Sequence, residues 1–277
     1  MKLSVIIPVK DRRTLIENLL ENLYRQGPLP EDWEVIIVDD CSSEVISDVV
    51  HRYGCRYVKL QSPSGASRAR NTGAKVSRGK ILFFTDSDCS IDRTFLLRLI
   101  RRLEALGRGY ILGGTYRARP LDRGFFSEFQ SLFIHYSETR HAPQVDYIAT
   151  HAMAIHREDF FALGGFREDH LPMIEDVEFS HRARKMGMSL VMDPALQVGH
   201  HFGFGLWGSL KNAFRKAHYW SIYSLMNGDL LEDSGTASRP LKFTVLSAWI
   251  TMFMVTVLAL KGLFLSLPLV LASLVYS

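Results

Sequence analysis

The sequence predicts an α/β protein with a mostly parallel sheet and flanking helices, and three observations carry that prediction. Short apolar runs recur at 3–9, 34–38, 56–60 and 81–85. Segments with apolar residues at helical spacing separate them, such as Leu15, Leu19, Leu20 and Leu23 before Gly27-Pro28. Three of the runs end in polar clusters: Pro8-Val9-Lys10-Asp11, Asp39-Asp40-Cys41-Ser42 and Asp86-Ser87-Asp88.

Taken in order, the first strand leads to a helix over 14–26, and the second to a helix over 43–53. The third precedes a helix over 67–77 closed by Gly79, and the fourth an amphipathic helix over 93–106. The second half is less regular. It predicts a strand at 110–116 containing Gly113-Gly114, an aromatic helix at 125–136 and a strand at 148–156. A helix at 176–186 and a strand at 189–192 follow. Residues 211–226 mix Phe214, Trp220 and Tyr223 with Lys211, Arg215 and Lys216, as expected of a helix at a membrane interface. From Phe243 to Leu260 no residue is charged, a length near the lower limit for crossing a bilayer, and a second apolar run covers 263–276. The expected organisation is therefore a catalytic domain at 1–205, an interfacial helical region at 206–240 and a membrane-embedded hydrophobic hairpin at 241–277. Arg239 and Lys242 before the apolar span place the globular part on the cytoplasmic side of the inner membrane.

Composition narrows the function. A chain of 277 residues with 47% hydrophobic and 22% charged residues has ample material for a core and no disorder signature. The formal charge of +4 arises from 33 basic and 29 acidic residues, dispersed, which argues against nucleic acid as a partner. Cys41, Cys55 and Cys89 lack paired or metal-ligand spacing, as expected of a reducing compartment. The first apolar stretch is too short for a signal peptide and reads as a strand.

In an open parallel sheet the strand carboxyl ends share one edge, and ligands bind in the crevice there. The three acidic clusters should therefore meet. Carboxylates so close repel unless a cation or hydrogen-bond donors offset them. Oxygen ligands favour Mg²⁺ or Mn²⁺ held jointly with substrate phosphates. The stretch SPSGASRARNTGAKVSRGK adds Gly65, Arg68, Arg70 and a helix amino end, which suit phosphate or ribose and equally suit a solvated basic helix.

The motifs VIIPVKDR, VIIVDDCSS, GASRARNTGAKVSRGKILFFTDSDC and GGFRE followed by IEDVEFSHRARKMG together resemble the inverting family-2 glycosyltransferases of the GT-A fold, over residues 3 to 202. The resemblance implies that Pro8, Val9, Asp11 and Asp40, with Asp39 beside them, hold the base and ribose of a nucleotide-sugar donor. It places Asp86 and Asp88 at the Asp-x-Asp motif, with Asp88 the direct ligand of Mn²⁺ or Mg²⁺ and His200 or His201 a further metal or diphosphate ligand. Asp176 falls at the catalytic base, beside Glu175. Gly113-Gly114 and Thr150-His151-Ala152-Met153 fall where donor sugar and acceptor lie. A UDP-sugar is the preferred donor, and the acceptor is a hydroxyl on a glycan, a lipid-linked molecule or another carrier. The Gln-x-x-Arg-Trp motif of processive synthases has no counterpart in SLKNAFRKAHYWSIYS, which implies single transfer. A sugar nucleotidyltransferase is the rival enzyme, but the loop PVKDRRTL lacks the glycines such enzymes share. A catalytically silent membrane subunit is a further alternative, opposed by Asp86, Asp88 and Asp176 being intact.

Overall fold

The computed structural model describes residues 1–25, 27–169, 171–229 and 238–260. The second apolar run, and with it the expected hairpin, lies outside the described residues. By its contacts the chain divides after Trp220. The Met1–Trp220 unit holds an eight-stranded sheet: β1 Leu3–Val9, β2 Trp33–Asp39, β3 Arg56–Lys59, β4 Ile81–Phe84, β5 Cys89–Ser90, β6 Tyr110–Tyr116, β7 Met153–His156 and β8 Ser189–His200. The spatial order is β3-β2-β1-β4-β7-β6-β8-β5. The first four are mutually parallel, β7 runs antiparallel to both β4 and β6, and β5 runs antiparallel to β8. The sheet is mixed, where the sequence led us to expect a mostly parallel one. A carboxyl edge common to β1, β2 and β4 survives that difference.

Strand alternation explains the layers. Leu3, Val5, Ile7 and Val9 of β1 face one core, shared with α1 (Arg13–Tyr24), α2 (Ser47–Arg52) and α4 (Arg93–Leu106). Ile6 of β1 and Ile36 and Val38 of β2 face the other, with α3 (Gly65–Val76), α6 (Arg157–Ala162) and α7 (Glu175–Lys185). Burial on both faces is why β1 and β2 read as continuous apolar runs. α3 can press onto the sheet because its inner face is small. A Cβ on Gly73 would stand 2.4 Å from the Cγ2 of Ile6. That close approach carries Arg70, three residues earlier on the helix, to the carboxyl edge. α5 (Phe125–Thr139) covers β6 and β8, and α8 (Leu206–Asn227) spans the division after Trp220. α9 (Arg239–Leu260) is long and apolar enough to cross a membrane.

Three stretches differ from expectation for local reasons. Residues 43–46 stay out of α2 because Ser43 and Glu44 donate to Asp11 instead. Residues 150–152 form a 3₁₀ turn ahead of β7. β8 runs on through Asp193-Pro194 to His200, because its far half pairs with β6 after a register shift at Gly113/Thr115.

Candidate active site

The carboxyl edge of β1, β2 and β4 opens into a cleft of about 250 Å³, lined by Pro8, Val9, Lys10, Arg12 and Asp40 on one side. Ala66, Arg70, Asp86, Ser87, Asp88 and His200 line the other. Each of the three clusters contributes to this lining, but of their acidic members only Asp40, Asp86 and Asp88 do so. Asp39 is wholly buried behind the cleft, accepting from Ser42 N–H at 2.7 Å and Tyr57 O–H at 2.6 Å. It fixes the turn after β2. Asp40 lines the cleft, but both its oxygens are engaged, one with Ser64 N–H at 2.6 Å and the other with Gly65 N–H at 3.0 Å. It anchors the amino end of α3, whose entry needs Gly65 at φ +84°. Asp11, itself at positive φ, accepts Ser43 N–H and Ser43 O–H on one oxygen at 2.7 Å each, which holds its carboxyl below the usual range.

Arg70 is the junction of the site. Its guanidinium is buried, donating to Asp86 at 2.7 Å and to Glu175 at 2.6 Å. Burial opposes its charge, but the two carboxylates outweigh that and raise its pKa. One side chain thereby links the turn after β4 to the start of α7. Arg68, two residues earlier, lies exposed on the outside, 3.9 Å from Glu168, and does not line the cleft.

Asp88 faces His200, with Oδ1 3.3 Å from Nε2, and Arg12 approaches its other oxygen at 3.5 Å. Burial raises the carboxyl, while His200 and Arg12 more than offset this and lower it. The pairing of Cys89 with His200 between β5 and β8 sets this contact, and it separates the two histidines. His200 presents its ring to Asp88, whereas His201 supplies its backbone N–H to the Asp88 carbonyl at 3.0 Å. Among the described residues no three His, Cys, Asp or Glu side chains converge as metal ligands. A carboxylate beside an imidazole fits Mg²⁺ or Mn²⁺ that takes its remaining ligands from water and a bound diphosphate.

α7 begins under strain. Ile174, β-branched and buried, has φ +70°, a conformation such residues rarely hold. Glu175, which follows, reaches the site through Arg70, while neither Glu175 nor Asp176 is among the residues lining the cleft. Asp176 accepts Val177 N–H at 2.9 Å and lies 3.4 Å from Thr150 N–H. Burial, then the neighbouring Glu175, push its carboxyl up to about 6, against the pull of Arg70.

The structure adds residues that the sequence reading missed. Glu138, buried on α5, accepts Thr115 O–H at 2.7 Å and lies 3.4 Å from His151 Nε2. Burial opposes protonation of His151, but Glu138 outweighs it and raises the imidazole pKa. Tyr116 stacks on His151 at 3.9 Å between ring centroids and meets His200 at 4.6 Å. Thr85 O–H donates to the His151 carbonyl at 2.9 Å. The turn at 150–152 is thus held between Asp176, Glu138 and the end of β4. Gly114 serves packing: a Cβ there would lie 2.3 Å from the Leu196 carbonyl oxygen. The only sequence signal for Glu138 is a carboxylate amid the serines and aromatics of a helix, and its partners are distant in the chain.

This arrangement is an α/β fold with a carboxylate cluster at the strand ends. Residues 4–163 match the model of the glycosyl transferase family 2, and the chain belongs to that family. Among curated relatives, the glycosyltransferase AglE of Haloferax volcanii is 26% identical over 76% of this chain and 70% of its own. The poly(ribitol-phosphate) beta-glucosyltransferase of Bacillus spizizenii is 34% identical over 35% of this chain. The match takes in 16% of that relative's length and 30% of an uncharacterised Haemophilus influenzae glycosyltransferase, so the chain spans a minor part of these two. Among solved structures, a Pyrobaculum calidifontis mannosyltransferase in complex with GDP-Man and Mn²⁺ superposes with a TM-score of 0.62 at 21% identity, over 79% of this chain and 61% of that one. S. aureus TarS in complex with UDP-GlcNAc gives 0.59 at 18% identity, over 91% and 72%. These likenesses bear out the GT-A fold.

Proposed function

We propose that this protein transfers a single sugar from a nucleoside-diphosphate donor to an acceptor hydroxyl, with inversion, while attached to the inner membrane with its catalytic region in the cytoplasm. The observation that carries it is Arg70, which joins Asp86 of the Asp-Ser-Asp turn to Glu175 beside Asp176. A site for leaving-group charge and a basic carboxylate are thereby locked into one unit, as in-line displacement needs. Catalysis falls to residues 1–205, with 206–240 at the interface and 241–277 in the bilayer.

In this reading Pro8, Val9, Asp11 and Asp40 shape the pocket for base and ribose, with Asp39 fixing the turn behind them. Arg12 and Arg70 lend positive charge beside the diphosphate. Asp88 and His200 would hold Mn²⁺ or Mg²⁺, which supplies charge neutralisation on the leaving diphosphate. Asp176 takes the acceptor hydroxyl proton as that oxygen attacks the anomeric carbon. The bond to the diphosphate breaks on the opposite face, and the configuration inverts. A pKa near 6 leaves Asp176 ionised at neutral pH yet more basic than an ordinary carboxylate. Glu138 and His151 hold the 150–152 turn against it. The acceptor we favour is lipid-linked, because α9 is apolar and exposed. A panel of UDP, GDP, dTDP and CDP with and without Mn²⁺, read by thermal shift on detergent-solubilised protein, tests the donor. One nucleotide at a hundred times its Kd should add about 2.7 kcal/mol, in the presence of metal. No stabilisation by any of the four would leave the silent-subunit alternative.

A further inference from the structure

Helix α5 is inside out. Its buried residues are Ser127, Gln130, Ser131, Ser137 and Glu138, with Ile134 the lone large apolar side chain among them. Its outward face carries Phe125, Phe129, Leu132 and Tyr136, spaced by four, three and four residues, which is a single stripe on a helix. Phe125 is 74% exposed and Phe129 54%. The Phe129 ring stacks between Phe125 and Phe133 at 6.5 and 6.0 Å. A surface helix in water shows the opposite polarity, and an exposed stripe of large rings marks a face that meets something apolar.

The neighbouring chain indicates what that is. Arg117, Arg119 and Arg123 lie exposed on the segment leading into α5. Asp122 among them accepts Phe202 N–H at 2.8 Å and Gly203 N–H at 3.0 Å, which ties the approach to α8 against the start of α5. From that corner α8 exposes Leu206, Trp207, Leu210 and Phe214 on one face, bordered by exposed Lys211 and Arg215, and has no acidic residue over its length. Aromatic stripes edged by arginine and lysine are the composition of surfaces that enter the headgroup layer of an anionic bilayer. The chain then continues into the apolar α9.

We infer that the outward face of α5 is a bilayer-contact surface, inserted beside the first turns of α8. The inference rests on the membrane attachment proposed above and extends it to the catalytic unit itself. The inward face of the same helix carries Glu138, so the acceptor side of the site stands directly above the lipid headgroups. An acceptor whose hydroxyl or phosphate sits at headgroup level reaches Asp176 without leaving the membrane.

The full chain, reconstituted in phosphatidylcholine vesicles containing phosphatidylglycerol, tests this with a bimane label on Phe129→Cys or Leu132→Cys. Arg101→Cys, exposed on α4, is the control, and the signal from native Cys41 is measured on the parent chain. Doxyl-labelled lipid should quench the labels at 129 and 132 at least about twofold more than at 101, because an interfacial helix sits within the upper acyl region. Removing phosphatidylglycerol should reduce that difference. Equal quenching at all three positions, in a chain that stays with the vesicles through a carbonate wash, overturns the inference while leaving membrane attachment intact. Loss of the chain in the wash removes the attachment as well. A dimer in detergent that Phe129→Ser dissolves would assign the face to a second copy and overturn the inference. Since none of these readings requires turnover, they stand apart from the transferase proposal.

Discussion

The two ends of the site are built by opposite means. The edge proposed for the donor takes each group from a strand end that is local in sequence: an apolar run, then a carboxylate. The opposite wall takes its groups from pairs far apart in the chain, with Thr115 and His151 meeting Glu138 and Thr150 meeting Asp176. Arg70 is the one described side chain bonded both to the Asp-Ser-Asp turn and to the start of α7. The contrast teaches that a carboxylate-lined strand edge can be written in short motifs, whereas the geometry around Asp176 is a tertiary product.

Substitutions can break the comparison. The largest effect should come from Asp176→Asn, which removes the base: kcat should fall by about 10²–10⁴-fold with nucleotide binding unchanged. In the wild type the rate should fall as pH drops through about 6, because the carboxyl, raised from 3.8, must be ionised to accept a proton. The sign for stability is the reverse. A carboxyl raised in the fold stabilises it below the unfolded value, and that contribution is lost as pH rises from 3.8 through 6. Asp176→Asn should therefore melt no lower than wild type at pH 7.

Asp88→Ala comes next, with a loss of at least about a hundredfold in kcat/KM and no Mn²⁺-dependent stabilisation by nucleotide, read by steady-state kinetics and thermal shift. Glu138→Gln sharpens the comparison, since it touches neither donor nor base. Loosening the 150–152 turn should lower kcat between about 10- and 100-fold while the donor KM stays near wild type. An equal loss in donor binding would show that the two edges are not separable. The smallest effect should be Asp40→Ala, which frees the amino end of α3 and costs about 1–2 kcal/mol by denaturant titration.

Legibility follows the same division. The ends of β1, β2 and β4 were readable, because buried parallel strands are unbroken apolar runs and the polar residue that ends each run is conspicuous. Asp39 and Asp40 show the limit of that reading. Adjacent in sequence, they point to opposite sides of the strand end, and hydrogen bonds decide which of them lines the cleft. The choice of His200 over His201 required the β5–β8 pairing, and β5 is too short to leave a periodic signal. The far half of β8 was hidden by Asp193-Pro194, a charged residue and a proline without an N–H, tolerated where the strand shifts register. The polarity of α5 was legible as aromatic content but not as orientation, because periodicity cannot say which face is turned inward.

The central claim is that one molecule holds a metal-dependent nucleotide edge and a separate base. Calorimetric titration of the nucleoside diphosphate that stabilises the wild type, with Mn²⁺, into wild type, Asp88→Ala and Asp176→Asn tests it most directly when turnover is measured on the same preparations. The account predicts that Asp88→Ala loses metal-dependent binding, and that Asp176→Asn binds as wild type while turning over at least about a hundredfold more slowly. Undiminished binding by Asp88→Ala, or wild-type turnover by Asp176→Asn, would contradict it.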